Sequence, residues 1–187
     1  MPLLTSPQPH WPSRIMISDA DRLPDWRAAL ARLPRGSGLV LRDYHHKTRA
    51  ALAQEMAAQC AARGHVFFVG GNAALARRLG ARLHAPAYMT HKPAPIAASA
   101  AAHNAAEIIR AARHNYQAVL LSPVFATKSH AHARPLGAVR LHRLAGLAKQ
   151  CGLVCYALGG MNERHWQRLG AAHDLLHGFA AIDAFAP

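Results

Sequence analysis

Acid is what this sequence lacks. Only 9 Asp and Glu stand against 22 Lys and Arg in 187 residues, a formal net charge of +13 at pH 7. So basic a chain attracts polyanions, and nucleic acid is the first class to weigh. Yet no basic run, RNA-binding aromatic set or helix-turn-helix pattern accompanies the charge. The arginines are spread through alanine-rich stretches, at Arg27, Arg32, Arg49, Arg77, Arg78, Arg110 and Arg113. Charge of that kind gives non-specific attraction alone, so no specific nucleic-acid partner is expected, and phosphorylated small-molecule substrates are.

Cysteine is scarce as well. Cys60, Cys151 and Cys155 are an odd set in apolar surroundings. They fit reduced, buried thiols of a cytoplasmic protein better than a disulfide frame or a zinc site. No apolar run nears the roughly twenty residues of a membrane span. The N-terminal Met1-Pro-Leu-Leu-Thr-Ser-Pro-Gln-Pro9 lacks the basic and apolar regions of an export signal. The 14 histidines include the pairs His45-His46 and His130-x-His132. Neither pair has a carboxylate or thiolate spaced to complete a site, so they read as surface residues and no metal ligand is assigned.

What is present alternates. After a Pro-rich lead-in (residues 1–13), strands are predicted at Arg14–Ser18, Gly38–Arg42, Val66–Val69, Ala81–His84, Ala97–Ala100, Ala118–Leu121, Leu153–Ala157 and Gly178–Ile182. Helices are predicted at Trp26–Leu33, from a Thr48 cap to Gly64, and at Ala73–Leu79, Ala105–Arg113, Ala138–Gln150 and Asn162–Leu169. Asn72 and Asn104 read as caps, and Glu107, three residues after Asn104, suggests a capping box. Ala85–Ile96, with three prolines, reads as loop. Strand and helix in alternation indicate a parallel sheet, as an α/β (β/α)₈ TIM barrel of residues 14–187 or a doubly wound open sheet.

In a barrel the chemistry collects at the C-terminal strand ends. These carry Asp19, Arg42-Asp43-Tyr44, Gly70-Gly71, His84, Ser122 to His130, Gly159-Gly160 and Asp183. The set reads as cationic and rich in hydroxyls and glycines, as a site for a phosphorylated ligand should be. Thr127, Lys128, Ser129 and His130 supply two hydroxyls, a cation and an imidazole within four positions. That suits phosphate or pyrophosphate, although an ordinary polar loop has similar composition. Gly159-Gly160 can bring backbone N–H groups to a phosphate, or form a tight turn alone.

The run Ser122-Pro-Val-Phe-Ala-Thr-Lys-Ser-His130, closed by Pro135-Leu-Gly137, resembles the signature of the thiamine phosphate synthase/TenI family. Ala157-Leu-Gly-Gly-Met161 resembles that family's A-(I/L)-G-G-(I/M) segment, and weaker similarity runs from Ile15 to Phe185. The resemblance also implies the barrel, and leaves room for a homodimer. It implies an enzyme that joins a hydroxymethylpyrimidine diphosphate to a thiazole phosphate and releases pyrophosphate. Arg42 matches an Arg that holds pyrophosphate, Thr127 and Ser129 match hydroxyls around the thiazole, and Gly159-Gly160 match the thiazole-phosphate turn. Ser122 opens the matched signature, and His130 stands where many members carry Lys.

Departures are concentrated in one half of the site. The family implies Mg²⁺, bound by aspartates in N-D-R after its third strand and G-Q-E-D after its fourth. Here those places read Val69-Gly70-Gly71-Asn72 and His84-Ala-Pro-Ala-Tyr-Met89. Asp43 is the one acid nearby, and it reads as a partner for Arg42. Lys128, His130, His91, Lys92 and His45-His46-Lys47 could supply cations in place of the metal. Weak or altered synthase activity is therefore expected. Two other functions fit the resemblance: a TenI-type thiazole tautomerase, using His130 or His103 because Pro123 replaces the family's histidine, and a non-catalytic thiazole-phosphate or thiamine-phosphate binding module.

Overall fold

The computed structural model describes residues 10–127 and 134–186. Eight parallel strands close on themselves in sequence order. They are β1 (Arg14–Ile17), β2 (Gly38–Leu41), β3 (Val66–Gly70), β4 (Arg82–Ala85), β5 (Ala98–Ala102), β6 (Ala118–Leu121), β7 (Val154–Leu158) and β8 (Gly178–Ala181). Registers such as Ile15↔Gly38 and Met16↔Ala181 tie β1 to both β2 and β8. The open-sheet alternative is thereby excluded. Strands of four or five residues, buried on both faces, explain why the sequence shows continuous apolar runs rather than alternation.

Six α-helices follow strands: α1 (Trp26–Arg32), α2 (Arg49–Arg63), α3 (Ala73–Arg78), α4 (Ala105–Arg113), α5 (Gly137–Gln150) and α6 (Glu163–Gln167). Short polar side chains start four of them. Asp25, Asn72, Asn104 and Asn162 accept from the N–H groups of Ala28, Leu75, Glu107 and His165. Thr48 sits at the start of α2 but makes no cap bond; its hydroxyl lies 3.4 Å from His46 Nδ1 instead. Within Ala85–Ile96, Ala87–Met89 forms a single 3₁₀ turn. β5 begins one residue later than expected and runs on to Ala102.

Part of the lead-in is not loose. Trp11 is 8% exposed and stacks on Phe68 of β3 at 5.9 Å between centroids, with Tyr156 of β7 at 6.5 Å. β3 and β7 stand across the barrel from each other, so one indole under both closes the floor. The Arg82 guanidinium covers its face at 4.8 Å, and Ser13 O accepts from Phe179 N at 3.1 Å. Residues 1–9 of the lead-in lie outside the described residues.

With Trp11 across its floor, the barrel opens its main cavity at the strands' C-terminal ends. Trp11→Ala should therefore cost about 3 kcal/mol, seen in urea unfolding as a lower midpoint at unchanged slope.

Candidate functional site

One cavity of about 1150 Å³ fills the mouth of the barrel. Strand-end residues from β1 (Asp19), β2 (Arg42), β4 (His84), β5 (His103), β6 (Ser122), β7 (Gly159, Gly160) and β8 (Asp183) line it, as does Thr127. Of the expected site residues, Arg42, Ser122, Thr127, Gly159 and Gly160 are thus brought together. Lys128, Ser129 and His130 lie outside the described residues.

The expected pairing of Arg42 with Asp43 is not what forms. Arg42 Nη2 binds Asp19 Oδ2, across from the end of β2 to the end of β1. Asp43 accepts from Ser18 Oγ and, at 2.7 Å, from Ala20 N, which pins the loop after β1. Ser18 Oγ in turn accepts from Arg42 N at 2.9 Å. The Asp43 carboxylate is thus taken up by the end of β1, where Arg42 also finds its partner. Asp183 is bound by Arg22, whose Nε donates at 3.0 Å. Arg22 sits in the β1 loop with no motif around it, and sequence reasoning missed it.

These pairings change the electrostatic picture. Among the described residues the cavity is lined by Arg22, Arg42 and Arg110 but also by Asp19, Asp21, Asp43, Glu107 and Asp183. Five of the chain's 9 acids are gathered at its mouth. The strand-end set is therefore mixed, not cationic. His45 also lines the cavity; Lys47, His91 and Lys92 do not.

At the end of β3 there is no place for the carboxylate that the resemblance would put there. A Cβ on Gly70 would lie 2.6 Å from Leu41 O. Gly71 has φ +66°, and a Cβ on it would meet Tyr44 Cε1 at 3.1 Å. Asn72 is occupied in capping α3. Behind Tyr44, the Arg49 guanidinium donates to Gly70 O at 2.6 Å, Asp43 O at 3.0 Å and Leu41 O at 3.3 Å. Among the described residues no three His, Cys, Asp or Glu side chains are grouped to hold a metal ion. At the end of β3, therefore, the residues present do not fit Mg²⁺.

The β4–β6 side of the cavity carries two histidines. His84 is buried, and its Nδ1 lies 2.9 Å from Ser99 Oγ. Burial holds the ring down at about 4, so it is neutral at physiological pH. His103, just past β5, places Nδ1 2.9 Å from Glu107 Oε2, and the same oxygen accepts from His103 N at 2.7 Å. The expected capping box thus closes one residue early, on His103 rather than Asn104. Burial pushes the Glu107 carboxyl up, but hydrogen bonds from His103 and Asn104 outweigh it and leave it below the ordinary value. A carboxylate fixing one imidazole nitrogen leaves the other to act as a base or acid. The i, i+4 spacing of His103 and Glu107 was the available signal.

Gly159 and Gly160 have φ +94° and +64°, and close against the motif loop: a Cβ on either would lie 2.8 Å from Pro123 Cα or Ala126 O. Phe125 N donates to Gly159 O at 3.0 Å and Val124 N to Leu158 O at 2.9 Å. The turn is therefore built to seat the loop, and both glycines also face the cavity.

The sequence profile of a family described as thiamine monophosphate synthase matches residues 17–185. Among solved structures, thiamine phosphate pyrophosphorylase from Pyrococcus furiosus is similar at TM-score 0.72 and 15% identity, covering 92% of this chain and 86% of that one. Citrate synthase SbnG follows at TM-score 0.62 and 13% identity, over 92% and 86%. An HpcH/HpaI aldolase from Desulfitobacterium hafniense gives 0.62 and 11%, over 90% and 84%. At such identities these structures share the fold alone. No curated protein sequence matches significantly.

His84 gives the cavity floor a pH signature. Its folded pKa lies below the unfolded one, so its contribution is intact above about 6.5. It is lost as pH falls, because the unfolded chain takes up a proton that the folded one refuses until about 4. Between pH 7.5 and 4.5 the protein should lose about 3 kcal/mol more unfolding free energy than a His84→Asn variant, measured by urea titration at each pH.

Proposed function

The chain belongs to the thiamine monophosphate synthase family, and from that premise we propose that its cavity joins a hydroxymethylpyrimidine diphosphate to a thiazole phosphate, slowly, with release of pyrophosphate. The observation that supports this reading is the shared cavity. Uncharged donors, Ser122, Thr127 and the Gly159-Gly160 turn, lie on its β6–β7 side, and Arg42 lies on its β1–β2 side.

In this reaction the thiazole nitrogen forms a bond to the pyrimidine methylene carbon as the carbon–oxygen bond breaks. The electron pair of that bond leaves with pyrophosphate. Hydroxyls and backbone N–H groups hold the monophosphate of the thiazole without burying a second charge. Arg42 and Arg110 meet the charge that develops on the leaving group. Arg42 is held at its post by Asp19, which fixes the guanidinium but also takes part of its field. A leaving group stabilised by partly neutralised arginines departs more slowly than one held by a dedicated metal site.

A second reading is favoured by the His103–Glu107 pair. An imidazole oriented by a carboxylate at a cavity wall can remove a ring proton and return it elsewhere, as a thiazole tautomerase requires. A binding module without turnover would need neither device.

Supplied with both substrates and Mg²⁺, the protein should form thiamine phosphate at least about 100-fold more slowly than an ordinary enzyme rate near 10 s⁻¹. Turnover at the ordinary rate would contradict the proposal. Thiazole phosphate alone in D₂O separates the readings: under the tautomerase reading, ring-proton exchange followed by NMR should fall by about 100-fold in His103→Gln.

A further inference from the structure

We propose that the Arg49 guanidinium replaces the divalent cation of this site, so that the cavity engages a diphosphate group without metal. The inference rests on the synthase reading and deepens it, since it concerns how the diphosphate end is held.

Three observations converge at the ends of β2 and β3. First, three backbone carbonyls, of Leu41, Asp43 and Gly70, point together, and such oxygens would suit a hard cation. They are instead taken up by Arg49, at 3.3, 3.0 and 2.6 Å. Second, the position is sealed from the cavity side. Tyr44 stands against Gly70 and Gly71 and lies 5.8 Å from the guanidinium, ring centroid to Cζ. Third, four of the five carboxylates at the cavity are committed elsewhere. Asp19 is bound to Arg42, Asp43 to Ser18 and Ala20, Glu107 to His103, and Asp183 to Arg22.

A fixed positive charge in that cradle does two things. It repels a second cation brought to the same carbonyls, and it presents its field to the cavity through the thin wall formed by Tyr44. Arg49 is the first residue of α2 and does not line the cavity. It therefore acts through position and not through contact with ligand. The charge is permanent, because a guanidinium stays protonated at physiological pH even where burial lowers its pKa.

The test is calorimetric titration of the full chain with inorganic pyrophosphate, in EDTA and again with excess Mg²⁺. Binding in EDTA is the expected result. Arg49→Met should weaken it about tenfold, and Arg49→Lys should recover most of the loss. Thermal melts would establish that both variants are folded. Binding that appears only when Mg²⁺ is added overturns the inference and leaves the synthase reading standing. Unchanged affinity in folded Arg49→Met overturns it as well. Failure to bind pyrophosphate in either medium removes the synthase reading and the inference with it. Should neither variant fold, Arg49→Gln, which keeps amide donors for the carbonyls but carries no charge, takes their place, and unchanged affinity in it overturns the inference.

Discussion

A shortage of carboxylates governs this molecule, and most of those it has are spent at one place. With 9 acids against 22 Lys and Arg, any buried or half-buried acid easily finds a basic partner. At the barrel mouth that is what happens: Asp19 holds Arg42, Asp183 holds Arg22, and Glu107 holds His103. Each pair joins an element to its neighbour or across to the chain's other end, as Arg22 and Asp183 do. The cavity owes its shape to these bridges as much as to the strands beneath it. Exposed pairs of this kind add little stability singly. Their larger effect is to fix where charged groups stand before any ligand arrives.

The barrel was legible because its evidence is local and repeated. Gly38–Leu41, Val66–Gly70 and Ala118–Leu121 each announce a buried parallel strand by an apolar run with a polar exit. Asn72, Asn104 and Asn162 announce helix starts by a side chain that can accept an N–H three residues on. Thr48 shows the limit of such reasoning. The same chemistry is available to it, but His46 lies within reach of its hydroxyl and the cap bond does not form. Trp11 reads as a packing residue and is one, but its partners were hidden for a different reason. Nothing in a proline-rich segment tells that its indole will meet Phe68 and Tyr156 from opposite sides of a barrel.

The site was half legible. Strand ends can be read from sequence, so Arg42, Ser122, Thr127, Gly159 and Gly160 were found together before any coordinates. Partner choice could not be read. Asp43 is the nearest acid in the chain to Arg42, yet Ser18 and Ala20 take its carboxylate, and the partner of Arg42 comes from the end of β1. Arg49 looked like one more arginine on a solvated helix because its use depends on three carbonyls from two other strands. His103 and Glu107 carried a spacing signal, but only the fold puts that spacing at a cavity wall.

The glycines after β3 carry the argument further than their lack of a side chain suggests. Had Gly70 and Gly71 merely replaced carboxylates, they would leave a gap that water or a metal with its own hydration shell could fill. They do not leave a gap. β2 and β3 close until Leu41 O lies 2.6 Å from where a Cβ would be, Tyr44 settles over Gly71, and Arg49 satisfies the carbonyls behind. Restoring an acid at position 70 alone would force the strands apart. A carboxylate at position 70 and the present packing are thus mutually exclusive. Making room for one involves positions 44, 49 and 70 together, because Tyr44 packs on the glycines and Arg49 holds the carbonyls of Leu41 and Gly70.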